Sequence, residues 1–439
     1  MDIVVVGAGP AGTTAALLLA RASHRVTLVD RDPGPVPGVP WERVGVMQYH
    51  LPHTFRAPGV NVLRERLPDL LTTLVDAGGE LVAPPGAPEF LLDLVSNLHL
   101  RRTVLDRTMW EFADREPGIE RVRGHADGVR IEDGAVTGVV VAGTTYAVDL
   151  VVDATGKSGR LAAEHHAPFE GGDCGFAYAC RLFQLRDGVE PGPLNGGPGY
   201  VAEHDGFVNL VFTHDARTFT VLLVRESHDD SLAELRDETA FMRAVSCLPA
   251  AAVWTEPDRA EPIDHVRAGA GLVNQYRSQA TGVTGLLTIG DATCATNPIA
   301  ARGVSLGMQT AAALCDIVAG QPRAEWTGAL DAWCEANLRP WFVDHVEFDA
   351  VTRKLWAGEP IDPADPISWA IVAAAARQRP EFMATLGPFL GMLAPPSSID
   401  GLRQEVRSML ADGWQPPPYP PPTRDDLVAQ VRSTARQPA

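Results

Sequence analysis

The chain opens on "DIVVV", an apolar run with no polar alternation inside it. A run of this kind predicts a strand buried on both faces, as in a parallel sheet. Residues 11–22 change to the small and aliphatic composition of a helix, and "RVTLVD" is a second buried run that ends on an acid. The pattern predicts strand, glycine turn, helix and strand in succession. Residues 31–60, rich in Pro, Gly and His, read as loop, and 60–77 and 102–114 as helices. "GVRIEDGAVTGVVVAGTTYAVDLVVDATG" shows period-two runs broken by DG and GT turns, which predicts a meander feeding another buried strand. From Cys174 to about Arg267 the texture becomes antiparallel strand with few helices, and such a block predicts a sheet that walls a cavity. "GLLTIGD" returns to a buried strand, followed by a helix from about Gly303 to Ala319. Beyond residue 325 the pattern is helical, with "GEPIDPADPIS" as a linker. "WQPPPYPPPTRDDL" predicts an extended strap before a last short helix.

Composition narrows the class. With 439 residues, 45% of them hydrophobic, the chain can bury a large core. A formal net charge of -18 argues against nucleic acid or an anionic membrane as the main partner. Lys157 and Lys354 are the only lysines, a bias typical of a GC-rich genome. The six cysteines, 174, 180, 247, 294, 315 and 334, are scattered without a CxxC, which predicts reduced, buried thiols and a cytoplasmic protein. The opening residues lack the basic stretch of a secretory signal, and the apolar run "TTAALLLARA" is too short to span a membrane. No internal repeat is found, and no histidine–acid spacing suggests a metal.

"VVVGAGPAG" sets Gly7, Gly9 and Gly12 as G-x-G-x-x-G, with Pro10 and Ala11 between. The first glycine makes the turn, the second lets backbone approach a pyrophosphate, and the third lets helix pack on strand. Asp30 ends the second strand where an acid can bind a ribose hydroxyl, which disfavours a 2′-phosphate. This motif alone does not separate FAD from NAD. In "VVDATGKSGRL" (151–161), Thr155 and Gly156 form a turn that can close the nucleotide pocket. In "IGDATCATNPIAARGVSLG", Gly290 and Asp291 end a strand, and the Asp291 carboxylate can accept hydrogen bonds from a ribityl chain. Small residues follow as far as Gly303, where a helix N-terminus suits a flavin ring that gains negative charge on reduction.

These three elements, in this order and spacing, resemble the FAD-dependent monooxygenases with the para-hydroxybenzoate hydroxylase-type fold, over about residues 1–340. The resemblance implies an α/β fold, with a Rossmann-like FAD-binding domain interleaved with an antiparallel-sheet substrate domain. The expected division is 1–170 and 271–325 for the FAD-binding domain, 171–270 for the substrate domain and 326–439 for a C-terminal helical region. It implies FAD contacts at Arg102, at the start of "RRTVLDRTMWEF", at Arg43 and Arg31, and along Pro298, Ala301, Arg302, Gly303 and Val304. "ERVGVMQYHLPHTFRAPGVNVLRERLPDLLTTLVDAGG" looks like the bacterial branch with a GVPQ-x-x-H-x-H-type segment, which includes polyether polyene epoxidases. The chain departs from that pattern at Cys294, where His is common, at Ala301-Arg302-Gly303 in place of Gly-x-Gly, and at Met47 in place of Pro.

The implied activity is NAD(P)H-dependent, with transient nicotinamide binding. Molecular oxygen adds at the flavin C4a, and one oxygen atom hydroxylates or epoxidises a small hydrophobic aromatic or polyene intermediate of secondary metabolism, for example antibiotic biosynthesis. His50, His53 and Tyr49, in the loop expected to approach the flavin, are the candidates for orienting or deprotonating substrate. His165, His166 and His214 are expected at the surface or in turns. Two other uses of such a fold stay open, a reductase of prenyl or polyene chains and a redox-neutral cyclase. A halogenase is disfavoured, since W-x-W-x-I-P and a tunnel lysine are missing.

Overall fold

The computed structural model describes residues 1–157, 159, 161–196 and 199–433. Ser158 and Arg160 of the middle motif therefore lie outside the described residues. Asp2–Val6 (β1) runs parallel between Arg25–Asp30 (β2) and a strand at Leu150–Asp153, and the register sets Val4 beside Thr27 and Val151. Labelled in chain order, Ile119–Arg123 is β3 and Leu150–Asp153 is β4. With Leu286–Thr288 on the far edge they make a five-stranded parallel sheet. Ile3, Val4 and Val5 are all essentially inaccessible, as their unbroken apolar run predicts.

Pro10–Arg21 (α1), Ala57–Arg66 (α2), Arg102–Ala113 (α3) and Gly303–Gly320 (α4) pack on one side. Small residues let α1 and α4 approach closely: a Cβ placed on Gly307 would lie 3.1 Å from the Ala11 Cβ. By length and composition α4 could cross a membrane; 61% of it is buried inside the protein. On the other side of the sheet, the meander 126–147 sets Val136, Val139 and Val141 against Val4, Val29 and Val151. Two helices of the tail bear on the site, Arg339–Trp356 (α5) and Met383–Leu390 (α6).

Phe176–Leu185 (β5), Gly199–His204 (β6), Phe207–Thr213 (β7) and Thr218–Glu226 (β8) form an antiparallel sheet in the order β6-β7-β8-β5, extended by Ala260–Pro262. Its alternation sorts the side chains cleanly. Phe183, Val211, Phe219, Val221 and Leu223 face two helices (Glu238–Ser246 and Pro249–Thr255) and the last helix, Arg424–Arg432. Phe176, Tyr178, Leu210, Phe212, Leu222 and Val224 face the other way, where Leu51, Ile299 and Trp356 cover them. The proline-rich strap ends on a capping box at Thr423 and Asp426, and Arg424 forks onto Asp229 with two 2.7 Å hydrogen bonds.

Three features differ from the sequence expectation. Cys294–Ala295 is a short strand paired with Val273–Tyr276, so the small residues after the Gly-Asp pair begin as sheet rather than loop. His214 is 3% exposed instead of lying at the surface. Its turn is drawn inward because Asp215 accepts hydrogen bonds from the Arg101 amide (2.7 Å) and guanidinium (2.5–3.1 Å). The His166 side chain is likewise buried and donates from Nε2 to the Leu161 carbonyl at 3.0 Å.

Candidate functional site

The glycine loop leaves β1 through Gly7, whose φ of +107° and whose missing Cβ, which would lie 2.3 Å from the Ala154 carbonyl oxygen, both require glycine. Ala154-Thr155-Gly156 of the middle motif is thereby held against the loop, and Asp153 Oδ1 anchors it by accepting from the Thr155 amide and hydroxyl at 2.9 and 2.5 Å. Gly12 is equally constrained, since a Cβ there would lie 1.9 Å from the Gly7 carbonyl oxygen. Gly9 has nothing within 4 Å of a Cβ position and so leaves an open cradle at the start of α1. Pro10 occupies the first helical turn, and the backbone N–H groups of Ala11 and Gly12 have no intrahelical acceptor. The cradle fits an anionic diphosphate.

A buried ion cluster fixes this loop. Asp30 Oδ2 accepts from the Ala8 amide at 2.7 Å, and Arg43 Nη1 donates to the Ala8 carbonyl at 3.1 Å, so both sides of that residue are tied. Arg43, buried between the rings of Trp41 and Trp110, also pairs with Asp30 (2.9 Å), Asp32 (3.0 Å) and Asp106 (2.8 Å). Arg102 donates to Asp106 from the first turn of α3, which places two guanidiniums on one carboxylate. Arg31 is exposed and reaches the Gly45 carbonyl at 3.2 Å.

Asp291 follows Gly290, which packs on Ala11 at the start of α1. Its carboxylate has no hydrogen-bond donor among the described residues. Burial pushes its pKa up, against the pull of Arg102 and Lys157. Gly290 (φ +63°) sits 3.1 Å, as a Cβ position, from Ala11, so the two glycine motifs touch. Beyond them Pro298–Ala300 forms one tight turn, Ala301 adopts φ +53°, and Gly303 and Val304 begin α4. An L-residue in that left-handed conformation is strained by about 1 kcal/mol, so the loop is held from outside. Asn297 does the holding: its amide donates to the Asn274 side chain (2.6 Å), its Nδ2 to Asp349 (2.7 Å), and its Oδ1 accepts from the Tyr178 hydroxyl. Asn274 also donates to Asp349 at 2.6 Å. Burial pushes the Asp349 carboxyl up to about 7, with both asparagine donors opposing. Cys294, beside this loop, is buried, and burial raises its thiol pKa far beyond the range of a reactive thiolate.

Two of the three candidate acid–base residues stay together, with the Tyr49 and His50 rings 4.9 Å apart, while His53 stacks on Phe55 instead. His50 Nε2 meets Glu42 at 2.6 Å on the outer side of its loop. Tyr49 is buried edge-on to Trp41 in the aromatic shell around Arg43, and burial pushes its phenol up to about 12. His53 faces inward. Its Nδ1 donates to the Leu51 carbonyl at 2.8 Å, which leaves the Nε2 lone pair outermost. Burial, then the Arg102 charge, pushes His53 down to about 4, so it is neutral at pH 7. Sequence reasoning missed Asp106, Tyr178, Asn274, Asn297 and Asp349. Only Asn297, beside Pro298 in "NP", carried a local signal.

The residues fit a flavin dinucleotide in two respects: an open glycine cradle for the diphosphate and an unpartnered carboxylate for ribityl hydroxyls. Among the described residues no group of histidine, cysteine and acid could hold a metal ion. Residues 1–178 match the family model described as pyridine nucleotide-disulphide oxidoreductase. D-amino acid dehydrogenase 2 of Ralstonia nicotianae is 43% identical over 60 residues, a stretch that spans 14% of this chain and 14% of that protein. A probable FAD-dependent monooxygenase of Pseudomonas aeruginosa, PqsL, superposes with a TM-score of 0.62 at 17% identity, over 82% of this chain and 98% of its own. PqsL is also known in complex with 2-aminobenzoylacetate. The flavin-dependent brominase Bmp2 gives 0.61 at 16% identity over 94% and 99%. The Diels-Alderase PyrE3, from the biosynthetic pathway of pyrroindomycins, gives 0.56 at 15% identity over 98% and 80%. The chain therefore has the mixed α/β fold of these flavoenzymes, a parallel Rossmann-like core joined to an antiparallel sheet and C-terminal helices.

Proposed function

We propose that this chain is an FAD-dependent oxidoreductase, and within that class a monooxygenase that uses NAD(P)H and molecular oxygen on a small hydrophobic aromatic or polyene substrate. The observation that carries the reading is the Gly9 cradle together with the unpartnered Asp291 carboxylate, brought near each other where Gly290 meets Ala11. FAD bound there supplies two-electron transfer and oxygen activation. With FAD bound, the α1 N-terminus would hold the diphosphate, Arg102 would lend positive charge nearby, Asp291 would accept ribityl hydroxyls, and the Gly303 and Val304 amides at the start of α4 would favour negative charge on the ring. The apolar cluster of Tyr178, Leu210, Phe212, Leu222 and Val224, covered by Leu51, Ile299 and Trp356, keeps water away from that side of the site. The neutral His53 accepts a proton at Nε2. The likeness to PqsL, crystallised with a small aromatic acid, supports this substrate size.

Both lysines bear against a halogenase. Lys157 belongs to the middle motif, and the Lys354 ammonium is paired with Asp365 at 2.9 Å on α5. The test measures bound FAD, then NAD(P)H oxidation and oxygen uptake with candidate substrates, and finally the mass of product formed under ¹⁸O₂. A product 2 mass units heavier under the label is expected. Turnover with oxidised FAD and neither NAD(P)H nor oxygen would show redox-neutral chemistry and overturn the reading.

A further inference from the structure

Arg302 is buried and Arg56 half-buried, and their charges are not balanced. Arg302 is 3% exposed, with its guanidinium 4.6 Å from the Trp341 ring centroid and 5.4 Å from that of Phe389. Nη1 donates to Asp344 at 2.7 Å and to His345 Nδ1 at 3.1 Å, and its remaining nitrogens have no acceptor among the described residues. Asp344 is itself shared, since its other oxygen accepts from Arg403 at 2.8 Å. Arg56 pairs with no carboxylate among the described residues. Its Nη2 donates to the Leu390 carbonyl at the end of α6, and its buried Nε has no partner. Phe389 and Leu390 bring the two guanidiniums to the same end of α6, and the Ser305 hydroxyl, donating to the Arg56 carbonyl at 3.0 Å, ties the start of α2 to the first turn of α4.

Arg302 and Arg403 share the buried Asp344, Arg403 also pairs with the exposed Asp400 at 2.8 Å, and Arg56 has no carboxylate among the described residues, which leaves excess positive charge next to the positive end of an 18-residue helix. The carbonyl end of α6 offsets part of this. An unbalanced buried cation is costly, and a ligand anion removes the cost. A guanidinium flanked by aromatic rings, with free donors on a fixed plane, suits a carboxylate on an apolar body better than a hydrated inorganic ion. We propose that Arg56 and Arg302 form the subsite for a carboxylate on the substrate, which is thus a hydrophobic acid. This deepens the oxidoreductase reading above and rests on it.

The probe is benzoate, with benzamide as the neutral isostere, titrated calorimetrically into FAD-loaded protein. Benzoate should bind at least tenfold more tightly than benzamide and than chloride. Arg56→Gln and Arg302→Gln should each weaken benzoate tenfold or more with FAD content close to wild type, and Arg56→Gln should also keep the thermal midpoint close to wild type. Arg302→Gln strips Asp344 of one partner; if it fails to fold, Arg56→Gln decides, because Arg56 gives up only a carbonyl contact. Equal binding of benzoate and benzamide, displacement by equimolar chloride, or unchanged benzoate affinity in Arg56→Gln overturns the subsite. Loss of FAD in place of benzoate overturns it too and assigns the pair to the cofactor. A wild-type protein that holds no FAD sinks the oxidoreductase reading; one that holds FAD and ignores benzoate sinks only the carboxylate subsite.

Discussion

Replacing Arg43 by methionine removes the one cation that serves Asp30, Asp32, Asp106 and the Ala8 carbonyl. Methionine fills similar volume, so the loss is electrostatic and not a cavity. Asp106 retains Arg102, and Asp30 retains the amides of Ala8 and Asp32. Asp32, 9% exposed, loses its only ion-pair partner among the described residues. Breaking one partner of a buried pair costs about 3–5 kcal/mol. The four contacts share one group and do not add, so the expected loss stays near ~4 kcal/mol, a large share of the ~5–15 kcal/mol that holds a native protein. Arg43→Lys keeps the charge, but three donors on a compact head cannot reach four acceptors in a fork, and ~2 kcal/mol is expected. Urea unfolding of wild type and both variants, followed by far-UV circular dichroism, gives the ranking wild type, lysine, methionine. If the methionine protein unfolds within about 1 kcal/mol of wild type, the guanidinium is not what secures the glycine loop and the account of that cluster fails.

Asp291→Ala should weaken FAD roughly 10- to 150-fold, the equivalent of about 1.5–3 kcal/mol for hydrogen bonds to a charged acceptor; fluorescence titration of the apoprotein that gave wild-type affinity would contradict this. Gly12→Ala drives a methyl into the Gly7 carbonyl oxygen, and should cost both FAD binding and several degrees of thermal midpoint. Because the folded pKa of Asp349, about 7, lies above its unfolded value, its contribution is fullest below about pH 4 and is lost as pH rises to 7. Up to ~4 kcal/mol is at stake at ~1.4 kcal/mol per unit, so stability curves over pH 4–8 should slope down in wild type and flatten in Asp349→Asn. Five of the six thiols are buried and none forms a disulfide, so dithionitrobenzoate should titrate at most Cys247 in the folded protein and all six in guanidinium.

Much of the architecture is legible in the chain because it depends on local pattern. The unbroken runs of β1 and β4, the period-two runs of the meander and the glycine spacing each report a backbone environment that neighbours in sequence decide. The site is less legible because its charges meet across long separations. Arg43 reads as a loop arginine until Asp106 on α3 is brought to it. Arg56 reads as an ordinary residue before a helix, and only the arrival of α6 shows that it has no counterion. Tyr49 and His53 stand four residues apart in one loop, yet one packs among tryptophans and the other faces Arg102; no periodicity in that Pro- and Gly-rich stretch separates them.

The contacts of Asn297 also bear on how the protein is made. A ribosome that had released residues 1 to 320 would have delivered every glycine of the dinucleotide groove and the whole of α4. Asp349, which with Asn274 and Tyr178 sets the turn at Pro298, would still be in the exit tunnel. The nascent chain can then form its parallel sheet early, but the ring end of the groove takes shape only after α5 emerges and docks. Flavin capture is then expected late in biogenesis, once α5 has docked and set the Asn297 turn.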